Sequence, residues 1–75
     1  MNEELRQLLA DAFEVRGDQV TADATQQTIE SWDSLHHLQM VMALEQHYGM
    51  QIPSERIPEI KSVADIIQIV ESANT

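Results

Sequence analysis

The chain has 75 residues, enough for one small core but not for a second domain in which to build a substrate cleft. Thirteen acidic against four basic residues leave a formal charge of −9, which repels nucleic-acid phosphates and anionic lipid and favours basic protein surfaces. There is no cysteine, so a disulfide framework, a thiolate nucleophile and a cysteine-ligated metal site are excluded, and any thiol chemistry has to come from a cofactor.

At 43% hydrophobic residues the chain is too apolar to be read as disordered. Its longest apolar run, Met40 to Leu44, is far short of the roughly 20 residues of a membrane span. Met1 to Glu4 carries acid where a signal peptide carries base. The expectation is a cytosolic, monomeric protein in which residues 1–75 form one domain.

In chain order, Leu5, Leu8, Leu9, Ala12 and Phe13 follow the i, i+3, i+4, i+7, i+8 series of one helix face. Asn2 is the expected cap of this first helix, Glu3 and Glu4 suit its first turn, Arg16 its last, and Gly17 its stop. From Gly17 to Trp32 no period is sustained, yet Val20, Ile29 and Trp32 are spaced along the segment. This predicts a long loop pinned to the core, with room for a short helical turn, and a loop of that length in so small a domain points to a functional role.

A second helix is predicted over Ser34–Tyr48, with Asp33 as N-cap and Gly49 just beyond its end. Leu35, Leu38, Met40, Val41, Met42, Leu44 and Tyr48 fill an arc of roughly 220°, so wide that more than one helix should pack against it. The opposite side collects His36, Gln39, Ala43, Gln46 and His47. Ser54 to Ile57 leaves space for about one turn before Pro58. The last helix starts at Ser62, paired with Asp65 in a capping-box-like arrangement, and sets Val63, Ile66, Ile67 and Val70 on one face. With no strand signal, the expected fold is an all-α four-helix bundle: three main helices, one short helix, and a long loop between the first and second.

Several features converge at Ser31-Trp32-Asp33-Ser34-Leu35, where the long loop meets the second helix. Ser34, at the first helical position, projects its hydroxyl from the end of the bundle. A phosphodiester there would lie against free backbone N–H groups and the positive end of the helix dipole. An ordinary capping segment has the same local appearance, so the wider context has to decide. That context is Asp33-Ser34-Leu35 followed by Val41-Met42-Ala43-Leu44-Glu45, the aromatic Tyr48, Ile52-Pro53, Ser62-Val63 and the Ile66, Ile67, Val70 pattern. In this ordered series, which covers nearly the whole chain, the sequence resembles the acyl and peptidyl carrier protein family.

The resemblance implies a four-helix bundle whose serine, here Ser34, receives 4′-phosphopantetheine from a dedicated transferase using coenzyme A. Asp33 and Leu35 complete the attachment motif. It implies a carrier rather than an enzyme, holding acyl or aminoacyl groups as thioesters and presenting them to loading enzymes, synthases or transferases. If a cavity for the acyl chain exists, the resemblance places it between the second and third helices, with Met42, Ile57 and Ile67 as lining candidates. Leu35, His36, Gln39, Met42 and Gln46 are the candidate partner-recognition residues.

Two departures from the family pattern bear on the pathway. Many members have glycine two or three positions before the serine, where this chain has Ser31-Trp32, and only Glu45 is acidic between Leu35 and Tyr48. Carriers of bacterial fatty acid synthesis usually present an acidic second helix to basic enzymes, so a specialised pathway is expected here. Rival assignments are a plain helical interaction domain without a prosthetic group and, more remotely, an enzyme using His37 with Asp33 or Glu45. The histidines His36, His37 and His47 offer no i, i+3 or i+4 pair and no metal site. His37 alone falls toward the apolar arc, beside Trp32.

Overall fold

The structure, a computed structural model, describes residues 2–73. Helix α1 (Glu3–Phe13) begins as expected, with Asn2 Oδ1 accepting the Leu5 N–H at 2.8 Å. It does not run to Arg16. Glu14 adopts a left-handed conformation (φ 58°, ψ 47°), and the N–H groups of Glu14 and Val15 turn back onto the carbonyls of Asp11 and Ala10. Such a conformation costs a non-glycine residue about 1–2 kcal/mol. Ending the helix early turns Val15 back toward the core and points the Glu14 carboxylate at the second helix. Arg16, outside the helix, pairs with Asp18 at 3.3 Å, and Gly17 opens a 3-10 turn over Gly17–Gln19.

The long loop is a structural element in its own right. Val20, Ala24, Ile29 and Trp32 are all buried, and the Trp32 ring lies 4.5 Å from that of Phe13, centroid to centroid. Ser31 Oγ donates to the Phe13 carbonyl at 2.6 Å, satisfying one of the open acceptors at the end of α1. Farther back, Thr25 and Ser62 form an isolated antiparallel bridge: Val63 N–H donates to Ala24 O at 2.9 Å and Gln26 N–H to Lys61 O at 3.2 Å. The loop is thereby fastened to the ends of two helices.

Helix α2 (Ser34–Tyr48) has the predicted bounds, with Gly49 (φ 62°) as its left-handed terminus. Its apolar arc divides. Met40, Val41 and Leu44 are buried, whereas Leu35, Leu38 and Met42 are 61%, 52% and 61% exposed. The packing demand read from the width of the arc is met over only half of it.

The expected short helix before Pro58 is displaced. Residues 54–56 form a turn, and a 3-10 turn follows at Ile57–Glu59 with Pro58 inside it. Proline fits the opening of a helical turn because its missing N–H has no partner to lose there. Helix α3 (Val63–Ala73) starts with Ser62 Oγ accepting the Asp65 N–H at 3.2 Å. The return contact differs from a capping box, since the Asp65 carboxylate accepts from Lys61 N–H at 2.9 Å. Val63, Ile66 and Val70 enter the core and Ile67 packs at its margin. Leu9 and Phe13 of α1, Met40 and Leu44 of α2, Ile60, and Val63 and Ile66 of α3 are essentially inaccessible, so one core joins all three helices. Among the described residues no helix is long and apolar enough to cross a membrane.

Candidate functional site

Ser34 is exposed and is the first residue of α2, with the backbone around it committed in a particular way. Asp33 Oδ1 accepts the His36 N–H at 2.9 Å, and the Asp33 carbonyl accepts the His37 N–H at 2.8 Å. These two bonds use the third and fourth N–H groups of the helix and leave those of Ser34 and Leu35 open. An anion on the Ser34 hydroxyl would therefore meet free donors and the positive end of the α2 dipole.

His36 is largely covered, with a side chain only 15% exposed, and does not stand free on a docking face as its wheel position implied. Its Nδ1 lies 2.8 Å from Asp33 Oδ1 and its Nε2 2.6 Å from Glu14 Oε2. An imidazole with a carboxylate at each nitrogen is most stable as a cation donating to both. The hydrogen bond to Asp33, followed by that to Glu14, holds its pKa above the ordinary 6.5. Asp33 is held below its ordinary value by the His36 backbone N–H first and the His36 ring second. The end of α1 is thus clamped to the start of α2 beside Ser34.

His37 is fixed in the opposite sense. Trp32 Nε1–H donates to His37 Nδ1 at 2.8 Å, and His37 Nε2 lies 2.7 Å from the Ile57 carbonyl. Indole can only donate and a carbonyl can only accept, so the imidazole is neutral and carries its proton on Nε2. The two rings lie side by side, their centroids 6.1 Å apart and their planes within 23° of each other. This half-buried side chain borders a groove of about 550 Å³ that runs beside Ser34, between α2 and the Ile57–Glu59 turn, with Leu38, Ser54, Ile57 and Pro58 on its walls. Of the three lining candidates, only Ile57 is there. Met42 faces solvent, and Ile67 belongs to the edge of the core.

Residues 3–70 match the family model of the phosphopantetheine attachment site. The acyl carrier protein of Akkermansia muciniphila is 34% identical to the chain, over 95% of it and 89% of the relative. The chain belongs to the acyl carrier protein family. That of Clostridium perfringens is 31% identical over 93% of the chain and 92% of its own length, and that of Helicobacter pylori 32% over 92% and 88%. Members of the family are carriers and not catalysts, and their cofactor is covalent 4′-phosphopantetheine. The residues at the start of α2 fit such a group, because a solvent-facing hydroxyl sits among unpaired N–H donors. When attached, it supplies the thiol that this carrier protein's own sequence lacks.

The remaining α2 side chains sort by what packs beside them. Leu35 and Met42 are exposed on the side away from the core, with Gln46 beside them. Gln39 and Ala43, half-buried, border a shallow groove shared with α1, which His47 closes by approaching Glu4 Oε2 at 3.0 Å. Glu45, the one acid on α2, turns back to accept the Ile52 N–H at 2.9 Å and so stabilises the chain after the helix. Glu14 and the Ile57 carbonyl carried no sequence signal. They lie 22 and 20 residues from their histidine partners, and nothing local marks either as a partner.

Proposed function

We propose that Ser34 carries the 4′-phosphopantetheine arm, and that this single-domain carrier presents acyl or aminoacyl thioesters to enzymes of a specialised rather than a primary fatty-acid pathway. The observation that carries the assignment is the exposed Ser34 hydroxyl at the start of α2, beside the open N–H groups of Ser34 and Leu35. Asp33 caps the helix and keeps its first turn in place for the arm. The enzymes that act on it are a phosphopantetheinyl transferase, an acyl-loading enzyme, and synthases or transferases, all met in the cytosol by a monomeric carrier.

Recognition falls to Leu35 and Met42, with polar contacts from Gln39 and Gln46. The specialised pathway is supported by the lack of free acid on α2, whose one carboxylate is occupied by the Ile52 N–H. His36 enters recognition indirectly, by fixing Asp33 and Glu14 next to the arm.

Incubation with a broad-specificity phosphopantetheinyl transferase and coenzyme A, followed by intact mass measurement, tests the assignment. Wild type should gain one arm, and Ser34→Ala should keep its fold and gain none. An unmodified wild type would favour a plain helical interaction domain, and an arm on Ser34→Ala would move the site elsewhere.

A further inference from the structure

We infer that His37 decides how this carrier shelters its cargo: it closes the inner side of the groove beside Ser34 and keeps a long acyl chain on the arm from entering between α2 and the Ile57–Glu59 turn. The inference rests on the assignment of Ser34 as the attachment point.

Ser34 and Leu38 border the groove from the outer side of α2, whereas His37 projects from the core-facing side and forms the boundary between groove and core. Its ring bridges that boundary, taking the Trp32 N–H on one nitrogen and meeting the Ile57 carbonyl with the other at 2.7 Å. One side chain therefore joins the three segments that enclose the groove: the end of the long loop, α2 and the Ile57–Glu59 turn. Met40, Ile60 and Ile66 belong to the core and have essentially no accessible surface.

A long alkyl chain seeking shelter between α2 and the turn has to break the His37 contact with Ile57, leaving a part-buried N–H and carbonyl facing hydrocarbon. The chain displaces the water that would otherwise replace the lost bonds, so the desolvation cost opposes entry. The groove itself mixes Gln26, Ser54 and His37 with Leu38, Ile57 and Pro58. Such a lining accommodates a short acyl chain or one bearing hydroxyl, amide or amino groups, which finds hydrogen-bonding partners without entering the core. The same lining gives a long hydrocarbon little apolar surface to exchange for water.

The experiment compares wild type, His37→Ala and His37→Gln, each loaded with butyryl-, octanoyl- or myristoyl-pantetheine from the corresponding coenzyme A thioesters. Intact mass first establishes loading. The readouts are the melting temperature of each loaded form relative to the unacylated arm-bearing form, and the rate at which hydroxylamine cleaves the thioester. In wild type, neither quantity should vary with chain length. His37→Ala, with its boundary open, should become more stable as the chain lengthens and protect the myristoyl thioester about tenfold, as expected when a sheltered state is favoured ten to one. His37→Gln, whose amide can both accept from Trp32 and donate to Ile57, should behave as wild type.

Chain-length-dependent stabilisation or protection in wild type would overturn the inference, and so would a cooperatively melting His37→Ala that behaves like wild type. Should the alanine variant fail to fold, the wild-type series and His37→Gln decide. A wild type that accepts no arm at all would instead overturn the assignment of Ser34.

Discussion

His36 and His37 are neighbours in sequence, yet the two seams of α2 on which they lie treat the same side chain in opposite ways. Toward α1, His36 meets carboxylates from Asp33 and Glu14 and is held as a cation. Toward the Ile57–Glu59 turn, His37 meets an indole N–H and a backbone carbonyl, which together require the neutral ring. Adjacent helical residues point about 100° apart, so each ring takes its chemistry from a different packed element. The difference shows that a histidine beside Ser34 takes its hydrogen-bonding role from the seam on which it lies.

The largest expected effect breaks the His37 seam. Trp32→Ala removes a ring packed on Phe13 together with the donor to His37, and loss of a buried aromatic typically costs about 3–5 kcal/mol of a small domain's 5–15 kcal/mol. Chemical denaturation should show a midpoint well below wild type, and an unchanged midpoint would mean that the ring does not fasten the loop. Trp32→Phe sharpens the result. It keeps most of the packing and loses only the indole N–H, so its midpoint should fall between the two.

The His36 seam should respond through pH. His36 has a folded-state pKa above its ordinary 6.5, so its contribution is complete below that value and is lost as pH rises through the raised one. Asp33, held low, contributes above its ordinary 3.8 and loses that contribution as pH falls through its folded value. The melting-temperature gap between wild type and His36→Gln should therefore be widest between about pH 4 and 6.5 and should narrow as the solution becomes alkaline. A gap that does not change with pH would show that the clamp carries no charge.

A subtler change separates the cap from the ion pair. Asp33→Asn keeps an oxygen for the His36 N–H but removes the negative charge. The imidazole of His36, followed by NMR titration, should then shift toward its ordinary pKa while Glu14 still holds part of the increase. An unmoved titration would assign the whole effect to Glu14.

The smallest effect concerns docking. If partners dock on Leu35, Met42, Gln39 and Gln46, with Glu45 the one acid on α2 and turned to the Ile52 N–H, affinity for a cognate enzyme should fall only slightly between low and physiological salt. A steep loss would place recognition on acids outside α2, such as Glu55 or Glu59, both exposed.

Local signals in the sequence mark the helix ends at Asn2, Asp33 and Gly49, where the chemistry is itself local. Asn2, Asp33 and Gly49 act within one turn of the residues they serve, so the start of α1 and both bounds of α2 were legible. The end of α1 was not. Gly17 was the obvious stop, but helix termination was decided by Val15 turning to the core and Glu14 reaching His36, contacts with no local mark. Periodicity likewise showed that α2 is apolar over a wide arc but could not say which half would be covered. Only the positions of α1 and α3 leave Leu35, Leu38 and Met42 in solvent.

What the sequence determined by itself is the set of helices, the buried anchors Val20, Ile29 and Trp32, and the location of Ser34 at a capped helix start. All of these follow from residue spacing and from side chains acting on backbone close by. What only the tertiary structure decided is the state of the groups around that serine: a charged His36, a neutral His37, and a groove walled by Leu38, Ile57 and Pro58. Protonation and cavity shape depend on which atoms lie within hydrogen-bonding distance. Those atoms are brought together across about 20 residues of chain by core packing and not by anything in the local sequence.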